Sequence, residues 1–581
     1  MSNDLTQDAT RDIPELIQVR RTDPVYMAHA YLTKVPVTAI TPFVEAFTKP
    51  GDVVLDPFAG SGMTGVAATM AFRRARLFDV SILGRHIGKN YLNLVDADHL
   101  HKRTHEVVSR VMERLGDVYA VRCQACGEQA RLVKTIWSII MACRSCERPV
   151  NYYRALEASG WDKGVMKCPH CGDPFSSRSR RVGEEPVVDS ISCACSRTQL
   201  EQPWTPSATE VDPEGIEWPD VPIEETRQMY VASALARHGL TSTAAFFSPR
   251  NLAVLGALKS EIETVEVPEL REKLRFAFTG ILTRASKRYQ WSKKRPLNAA
   301  NANYYVAPVF YEWNVFDLFN RKVDAVIKSD DWIRTARGAG TLFGADEGPD
   351  VHYEIASAAA IPLPDASVDY VFTDPPFGSN IFYSDMNLFH EAWLDDTTDP
   401  DAEAVVDRVD TGARRTADRY EGLLTDAFRE CRRVLKPGGA ITILFGNSSG
   451  AMWGLLQRSV YEAGLKVDPE LITVLDKGQR SVKGLASGFE DVATLDLALT
   501  LRPAESSSLP DVTPDRNELE TLVDRLVDLN GGLTPSHVYV ELLRTGFRSG
   551  WDLSTLDLSH VTERLRAVDR EIDRKTASIA L

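Results

Sequence analysis

The residues Asp374, Pro375, Pro376 and Phe377 follow an apolar, β-branched run, SVDYVFT, which predicts a strand over 367–373. A carboxylate that follows such a strand lies where open α/β sheets bind their ligands. Two prolines keep the next backbone extended and remove two amide donors, which leaves a carboxylate and carbonyl oxygens as acceptors. These acceptors suit an exocyclic amino group, because accepting both of its hydrogens frees the nitrogen lone pair for attack. Phe377 would stack on a base turned out of a helix.

A glycine-rich turn follows an earlier predicted strand, in the stretch VLDPFAGSGMTG (54–65). Gly60 and Gly62 would let the backbone turn sharply and approach a ligand closely before a helix begins. The turn lacks the Gly-Lys-Ser/Thr of a phosphate loop and the G-x-G-x-x-G spacing of a dinucleotide site. Asp79 ends the next predicted strand, where it would accept hydrogen bonds from ribose hydroxyls or, alternatively, cap the following helix.

These segments resemble the amino-directed DNA methyltransferases, which take a methyl group from S-adenosylmethionine. DPFAGSGMTG resembles their methionine-binding motif, and HAYLTKVP (29–36) is similar to the H-x-Y-x-x-K-x-P segment that precedes it. The Asp-Pro-Pro-Phe motif resembles their D-P-P-Y/F signature, with phenylalanine in place of the commoner tyrosine. The resemblance implies that the following residues bind the cofactor: His29, Tyr31, Lys34, Pro36, Asp56, Pro57, Phe58, Gly60, Gly62, Thr64 and Asp79.

The stretch DPPFGSNIFYSDMNLFHEAWL (374–394) resembles a narrower group, the adenine-specific DNA methylases that contain a zinc ribbon, some of them found near phage-defence genes. FFSPRNL (246–252) is similar to another of their elements. Where that group usually has an acidic residue for the cofactor adenine, this chain has IASAAAIPLPD (355–365), so the adenine contact stays unassigned. The resemblance implies methylation of adenine in DNA, in restriction–modification or phage defence.

Three alternatives remain open. Cytosine in DNA offers the same kind of amino group, and an RNA amino methyltransferase can share the Asp-Pro-Pro-Phe motif. A non-catalytic, zinc-dependent DNA-binding subunit of a defence complex is an alternative of another class. The intact Asp56, Gly60, Gly62 and Asp374 argue against that last reading.

Eight of the nine cysteines fall between Cys123 and Cys195, in close pairs that indicate metal ligands rather than disulfides. The C-x-x-C pairs at 123–126 and 143–146 have the spacing of a four-cysteine zinc ribbon. CPHC (168–171) and CAC (193–195) predict a second, less regular site, in which His170 could replace a ligand. We expect one or two structural zinc ions, bound by Cys123, Cys126, Cys143, Cys146, Cys168, Cys171, Cys193 and Cys195.

A basic stretch with interleaved aromatic residues runs from 284 to 295. It suits a groove that tracks phosphates and stacks bases, although a solvated helix end with its loop has the same composition. The net charge of −14 does not exclude DNA as a partner, because phosphate binding needs only a local basic surface. The predicted nucleic-acid-binding residues are Arg284, Lys287, Arg288, Tyr289, Trp291, Lys293, Lys294 and Arg295.

The elements around these motifs predict an α/β protein. Strands are predicted over 52–58, 75–81, 367–373, 435–445 and 493–502, and helices over 65–72, 248–265 and 425–435. We expect a Rossmann-like S-adenosylmethionine-dependent methyltransferase fold that a long insertion splits in two. The expected regions are 1–100 (first half, cofactor motif), 101–220 (zinc ribbons), 221–345 (helical, nucleic-acid recognition), 346–505 (second half, catalytic motif) and 506–581 (linker and helical C-terminal region). The C-terminal helices could contact a partner or pack on their own domain, and we expect the second.

The sequence contains no run of about 18 apolar residues that would span a membrane. Its N-terminus is polar and mixed in charge, without the apolar core of a signal peptide. We therefore expect a cytoplasmic protein whose partners are DNA and, in a defence or restriction system, other subunits, with no membrane partner.

Overall fold

The computed structural model describes residues 13–19, 22–206, 214–293, 304–338, 349–379, 381–410, 412, 415–476, 493–504, 509–510, 512–529 and 534–567. They divide into two compact units. The first unit consists of Met1–Leu92, Ser329–Ser384 and Thr398–Leu581, and the second consists of Asn93–Lys328 and Asp385–Thr397.

The secondary structure falls into three stretches of the chain. The first stretch contains β1 (Leu16–Gln18), α1 (Pro24–Ala28), α2 (Val37–Phe47), β2 (Val53–Asp56), α3 (Met63–Met70), β3 (Arg74–Asp79) and α4 (Ile82–Leu92). The second contains α5 (Ala97–Leu115), β4 (Ala120–Arg122), β5 (Gln129–Ala142), β6 (Pro149–Asn151), α6 (Tyr152–Ala158), β7 (Arg180–Ser192), β8 (Leu200–Pro203), α7 (Gln228–Ala232), α8 (Leu235–His238), α9 (Pro249–Glu263), α10 (Pro268–Thr279), α11 (Leu282–Ala285), β9 (Val309–Trp313) and α12 (Val315–Gly338). The third contains β10 (Val351–Ile355), β11 (Val368–Thr373), α13 (Tyr383–Glu391), α14 (Ala417–Val434), β12 (Leu435–Phe445), α15 (Gly450–Glu462), β13 (Leu465–Asp476), β14 (Leu495–Pro503), α16 (Arg516–Leu529) and α17 (Pro535–Ser549).

The first unit is built on an eight-stranded sheet in the order β1-β13-β14-β12-β11-β2-β3-β10. Every neighbouring pair is parallel except the two that β14 makes, with β12 and with β13. The five predicted strands are β2, β3, β11, β12 and β14, whereas β1, β10 and β13 were not expected. Tyr370 of β11 lies opposite Val54 of β2, so the turns that follow these two parallel strands meet at one edge of the sheet. The strand order also reverses between β2 and β11, which is where open α/β sheets bind ligands.

One apolar core contains buried residues of β2, β11, β12, β13, β14, α14, α15 and α17. α14 is strongly amphipathic, and its buried face includes Tyr420, Leu424 and Phe428. The C-terminal helices belong to the same core, because Val538 and Leu542 of α17 and Val561 beyond it are buried within it. The C-terminal region therefore packs on the first unit, as expected for the residues that the structure describes.

The second unit is built on an antiparallel sheet in the order β4-β5-β7-β8, with β6 and β9 also paired to β5. β5 has 14 residues and β7 has 13, and together they form one long hairpin. A zinc-ribbon region (101–220) and a helical region (221–345) were expected from the sequence. β9 lies within 221–345 yet pairs with β5, because its sequence VFYEW is rich in strand-forming residues.

Among the described residues, no helix is both long enough and apolar enough to cross a membrane. α9 begins where it was predicted to begin. The Ser248 hydroxyl caps it by accepting a hydrogen bond from the amide of Asn251, at 3.3 Å.

Candidate active site and metal centres

The turn after β2 is organised by the carboxylate of Asp56, which is only 4% exposed. It accepts hydrogen bonds from the Thr64 hydroxyl (2.6 Å), from the amide of Phe58 (3.1 Å) and from the Thr373 hydroxyl (2.9 Å). Burial raises the pKa of Asp56 to about 7, although these hydrogen bonds lower it in part. Because Thr373 is the last residue of β11, one carboxylate ties the glycine turn to the strand that precedes the Asp-Pro-Pro-Phe motif.

The two predicted glycines both have positive φ and close neighbours. Gly62 has φ +76°, and a methyl group there would lie 2.6 Å from the Cα of Gly88 in α4. Gly60 has φ +47°, and a methyl group there would lie 3.2 Å from the ring of Tyr31. The Gly60 carbonyl accepts a hydrogen bond from the Tyr353 hydroxyl at 2.6 Å. The turn is thus held tightly from several sides, with Pro57 buried and the ring of Phe58 packed on the core.

The helix α4 was not singled out from the sequence, yet it supports this turn. Besides Gly88, it contains Gly84, where a methyl group would lie 2.5 Å from the Gly60 carbonyl oxygen. Two glycines four residues apart lie on one helix face, and this spacing is the signal that could have identified them.

Asp79 ends β3, and both of its carboxylate oxygens bind backbone amides, while its contact with a ribose stays a prediction. One carboxylate oxygen accepts from the amide of Gly60 at 2.7 Å, and the other accepts from the amide of Ser81 at 2.8 Å. It therefore positions both the glycine turn and the start of α4. Burial raises the pKa of Asp79. A carboxylate has about four lone-pair sites, so these two bonds leave acceptor capacity for ribose hydroxyls.

The segment 29–36 is held by the ammonium of Lys34, which is 5% exposed. The Nζ atom donates to the carbonyls of Tyr26 (2.6 Å) and His29 (2.8 Å) and to the hydroxyl of Tyr91 (3.0 Å). His29 is 1% exposed, and its Nδ1 lies 2.8 Å from the Ala30 carbonyl. A histidine or a lysine is more often found at the surface, but both of these side chains are buried. Both shape the segment, which Pro36 ends at the N-cap of α2.

Tyr31 lies between the glycine turn and the residues that follow the Asp-Pro-Pro-Phe motif. Its ring approaches Gly60 and stacks on the ring of Tyr383, with centroids 6.4 Å apart. The Tyr383 hydroxyl is hydrogen-bonded to the Thr33 hydroxyl at 2.8 Å. Burial, and then the neighbouring Asp374 carboxylate, raise the pKa of Tyr383 well above its usual value. The structure therefore brings Tyr31, Gly60, Tyr383 and Asp374 into one neighbourhood.

Two carbonyls of the motif bind to the protein itself. The Pro376 carbonyl accepts from the Tyr420 hydroxyl at 2.6 Å, and the Phe377 carbonyl accepts from the side-chain amide of Asn447 at 3.1 Å. Sequence reasoning missed both donors, which belong to α14 and to the turn after β12. The Phe377 ring is partly buried and packs edge-on against Phe445, with centroids 5.1 Å apart. These contacts fix the course of the backbone just beyond Asp374 and Pro375.

The eight predicted cysteines form two clusters of four in the second unit. One contains Cys123, Cys126, Cys193 and Cys195, and the other contains Cys143, Cys146, Cys168 and Cys171, with all ligand atoms of a cluster within 4.8 Å of one another. Within each cluster, sulfur atoms of the two cysteine pairs lie 3.5–3.8 Å apart. A tetrahedral zinc ion with bonds of about 2.3 Å requires sulfur atoms about 3.8 Å apart, so both donor sets fit zinc. In the second cluster, the amides of Cys146 and Ser145 lower the pKa of Cys143, whereas burial and the neighbouring cysteines raise the pKa of Cys171, so the four thiols compete for one negative charge when no metal is bound.

The expected pairing of 123–126 with 143–146 is wrong. These two pairs flank β5, whose 14 residues place them about 46 Å apart at opposite ends of a strand. The antiparallel return along β7 brings 193–195 back to 123–126, and it leaves 168–171 beside 143–146. His170 is exposed, with Nε2 3.1 Å from the Pro149 carbonyl, and it belongs to neither cluster.

The predicted basic stretch is not one open groove. Arg288 is 2% exposed between the rings of Tyr304 and Phe389, and burial lowers its pKa to about 10. Lys287 is paired with Glu184 at 2.5 Å, and Tyr289 is buried. Arg284 and Lys293 are exposed, Trp291 is partly exposed, and Lys294 and Arg295 lie outside the described residues. The exposed Arg284 lies in the last turn of α11 and the exposed Lys293 lies in the segment after it, so part of the stretch has the exposure of a solvated helix end with its loop. A local sequence pattern does not show which basic side chains are folded inward.

The two stretches that carry the narrower resemblance meet in the second unit. Phe247 stacks on Phe389 with centroids 5.2 Å apart, and it packs edge-on against Trp393 at 5.7 Å. The second stretch runs through α13, and its Asp385 carboxylate accepts from the amide of Met229 at 3.0 Å. Phe247, Phe389 and Trp393 thus pack together in the second unit, where Asp385 is hydrogen-bonded.

Comparison with known proteins gives matches to methylases. Residues 11–96 match the family model N6_N4_Mtase, described as DNA methylase. Over 42 residues the chain is 57% identical to YubD of Escherichia coli (strain K12), which is named as a methylase; this stretch covers 7% of the chain and 18% of YubD. The chain thus spans less than a fifth of that relative's length.

A search of solved structures finds TTHA0409 of Thermus thermophilus, which is named as a DNA modification methylase and was also solved in complex with S-adenosyl-L-methionine. The two proteins are 18% identical over 28% of this chain and 58% of that one, with a TM-score of 0.15. The family prediction is supported by this sequence likeness: residues 11–96, which contain the glycine turn, resemble the DNA methylase family.

Proposed function

We propose that this protein transfers a methyl group from S-adenosylmethionine to the exocyclic amino group of a DNA base, with adenine as the first candidate. The observation that carries the proposal is the hydrogen-bonded link from Thr64 through Asp56 to Thr373. It joins the glycine turn of a methylase-family segment to the strand that ends at Asp374. The link fixes the glycine turn relative to the strand before Asp374, which supports a cofactor turn that lies beside acceptors for an amino group.

The cofactor would be held by the glycine turn, by Tyr31 and by Asp79. The backbone at Gly60 and Gly62 forms a cradle in which any added Cβ would meet Tyr31 or Gly88, so this space is shaped by the absence of side chains. Asp79 would accept from the ribose, and the segment 29–36, held by Lys34, would cover the methionine end. When bound, S-adenosylmethionine supplies an electrophilic methyl group on a sulfonium. The sheet order, its reversal between β2 and β11, and the single antiparallel strand β14 support a Rossmann-like methyltransferase fold split by the second unit.

The residues that follow β11 would activate the base. Because Tyr420 and Asn447 use the Pro376 and Phe377 carbonyls, the acceptors we assign to the amino group are the Asp374 carboxylate and the Pro375 carbonyl. Accepting both hydrogens draws electron density out of the ring and onto the nitrogen, which is otherwise a poor nucleophile. Asp374 also accepts the proton that the nitrogen loses as it gains the methyl group. The ring of Phe377 offers a face for the flipped base.

The choice of adenine, and a role in restriction–modification or phage defence, rest on the resemblance of 374–394 to the zinc-ribbon adenine methylases. Cytosine and an RNA amino group would be accepted by the same two acceptors. A non-catalytic DNA-binding role is opposed by the intact cradle and by Asp374. These readings differ in what they predict for cofactor binding and for the modified base.

The proposal is tested by single-molecule sequencing of host DNA in cells that carry the wild-type protein or Asp374→Ala. We expect a methyl mark at one sequence motif with the wild-type protein, and a loss of methyl transfer of at least about 100-fold in the variant. The mark's kinetic signature names the base. Calorimetry of both proteins with S-adenosylmethionine is the control, because loss of Asp374 should leave cofactor binding within about 3-fold.

A DNA mark that persists in Asp374→Ala would contradict the assigned role of Asp374. A mark found on RNA alone would replace the substrate, and the absence of cofactor binding by the zinc-loaded protein would favour the non-catalytic reading.

A further inference from the structure

One face of the sheet in the second unit has a row of aromatic side chains. Tyr289 and Trp291 lie on a segment that runs alongside β9, since the Trp291 amide donates to the Val309 carbonyl (3.0 Å) and the Tyr311 amide donates to the Tyr289 carbonyl (2.9 Å). Alternate residues of an extended segment share a face, so Tyr289 and Trp291 lie together and Tyr311 and Trp313 lie together. The ring contacts join them, with Tyr289 6.2 Å from Tyr311 and 5.8 Å from Trp313.

The row continues along β5 to α6. Trp313 pairs with Lys134 of β5, and Ser138, four residues further along the same face, accepts a hydrogen bond from the Tyr153 amide at 2.9 Å. Tyr153 in turn contacts Trp291 at 5.4 Å and Trp161 at 5.3 Å. We call this surface the aromatic face; its residues are Tyr153, Trp161, Tyr289, Trp291, Tyr311 and Trp313.

Four cations lie on the rings of the aromatic face. Lys134 lies 5.0 Å from the centroids of both Tyr311 and Trp313. Arg284 lies 5.1 Å from Tyr289, and Arg321 lies 5.6 Å from Trp313. Lys293 lies 4.5 Å from Trp161, at the other end of the row. These rings fix the positions of long side chains that would otherwise lose conformational entropy on binding a partner.

The charges near the aromatic face are mainly positive. Arg284, Lys293 and Arg321 are exposed. Burial, and then the Arg284 guanidinium, lower the pKa of the neighbouring Lys322 to about 8, which indicates crowding of cations. Glu157 and Glu201 are carboxylates near this face: burial, and then their charges, raise the pKa of Tyr153, and burial and Glu201 also raise that of Tyr311. A third nearby carboxylate, Asp317, is paired with Arg131. On the opposite face of the sheet, Glu312 accepts from Ser248 at the start of α9.

The arrangement distinguishes between two ways of binding a nucleic acid. Tyr153, Tyr289 and Tyr311 are buried, and their rings pack against one another, so they leave little ring surface on which bases could stack. Arg284, Lys293 and Arg321, in contrast, are exposed, and Lys134 is partly exposed beside Tyr311 and Trp313, so phosphates could reach these cations. The aromatic rings therefore position the cations, and the cations are the groups that meet the partner.

We propose that the aromatic face is a docking surface for the sugar-phosphate backbone of duplex DNA, contacted by Lys134, Arg284, Lys293 and Arg321. This inference rests on the proposed function and deepens it, because it assigns the surface that grips the substrate beside the predicted stretch 284–295. It retains Arg284 and Lys293 of that stretch and excludes the buried Arg288. It adds Lys134 and Arg321, which no local motif indicates.

The test is the salt dependence of binding of a fluorescent duplex of about 30 base pairs, measured between about 50 and 200 mM salt. The variant Lys134→Ala/Arg284→Ala/Arg321→Ala should weaken binding about 10-fold or more at the lower salt. It should also make the slope of log K against log salt shallower by about 2 to 3, because each lost phosphate contact removes about 0.9. Lys466→Ala/Arg429→Ala/Arg516→Ala, which removes the same charge from the first unit, should leave the slope unchanged.

Zinc content and cofactor binding are measured on every variant to check that both units are folded. The variant Arg284→Lys/Arg321→Lys keeps the positive charges, so it should have the same slope as the wild-type protein. If the wild-type protein binds DNA and the triple alanine variant has the same slope, the aromatic face is not the docking surface for DNA. The proposed function is unaffected by that result. If wild-type protein binds S-adenosylmethionine but prefers an RNA duplex of the same length, both the DNA substrate and this inference fail.

Discussion

In the first unit the functional turns follow β2 and β11 in the middle of a mostly parallel sheet, whereas in the second unit the cysteine turns lie at the far ends of one long hairpin. The turns of the first unit are held by groups that the chain itself supplies, such as Asp56 and Lys34. The cysteine turns are poorly covered, because Cys126, Cys171 and Cys195 are exposed. The first site is thus organised by the chain's own hydrogen bonds, whereas we expect the order of the cysteine turns to depend on an ion.

Removing cysteines in pairs gives the largest expected effect and tests the pairing directly. Cys126→Ser/Cys195→Ser disables one cluster, so we expect the protein to keep one of two zinc ions. Cys126→Ser/Cys143→Ser disables both clusters, so we expect no zinc and unfolding of the second unit, since structural zinc contributes on the order of 10 kcal/mol to small sites. Elemental analysis of the purified proteins measures the zinc.

No zinc in Cys126→Ser/Cys195→Ser, together with one zinc ion in Cys126→Ser/Cys143→Ser, would instead support the pairing of 123–126 with 143–146. Cys431→Ala is the matched control, because this cysteine is buried in α14 and should not affect zinc. Cofactor binding should survive in all three variants if the first unit is organised by its own hydrogen bonds.

Asp56 makes the stability of the first unit depend on pH. Its carboxyl has a pKa raised to about 7 in the folded protein and an ordinary value of 3.8. Below pH 3.8 both states are protonated; as the pH rises toward 7 only the unfolded chain loses the proton, so the free energy of unfolding falls by up to about 4 kcal/mol. Asp56→Asn should remove this fall. Urea unfolding at pH 4, 5.5 and 7 measures it, with the exposed Asp418→Asn as control.

A wild-type protein that loses no more stability than Asp56→Asn over this range would show that the Asp56 carboxyl titrates normally. In that case the hydrogen bonds from Thr64 and Thr373 would be made to an ionised Asp56 carboxylate over the whole pH range.

Gly62→Ala tests the backbone contacts of the glycine turn at a smaller cost. The added methyl group meets the Gly88 Cα at 2.6 Å, and alanine is disfavoured at the positive φ of this position. We therefore expect the free energy of unfolding to fall by about 3 kcal/mol and the binding of S-adenosylmethionine to weaken at least about 10-fold. Gly51→Ala is the matched control, because Gly51 also has a positive φ (+87°) but has no atom within 4 Å of the added methyl group. Equal losses in the two variants would mean that the contact with α4 does not matter.

Local patterns predicted much of this molecule. The strands β2, β3, β11, β12 and β14, the Ser248 cap and all eight clustered cysteines follow from residues that are close in sequence. The cysteine pairing does not, because it depends on how far β5 extends before the chain turns back. The uninterrupted run QARLVKTIWSIIMA (129–142) contains that information, but only when it is assigned as one strand.

Burial was the second property that the sequence did not show. Arg288 and Lys293 have similar local surroundings, yet Arg288 is enclosed by Tyr304 and Phe389 from distant parts of the chain. The support of the glycine turn by Gly84, Gly88 and Tyr353 likewise depends on α4 and β10 packing beside it. Such contacts are set by tertiary structure, which a pattern of neighbouring residues does not encode.

The nesting of the cysteine clusters gives the chain an order of folding during its synthesis. The ligands of the inner cluster, Cys143 to Cys171, emerge from the ribosome before the outer cluster is completed by Cys195, and the inner cluster closes the shorter loop. β2 and β3 are made earlier still, but their neighbours β11 and β10 are made only after α12. The glycine turn is thus among the first functional elements to be translated and among the last to be completed. A nascent chain that stalls before β10 would contain both cysteine clusters and an unfinished eight-stranded sheet.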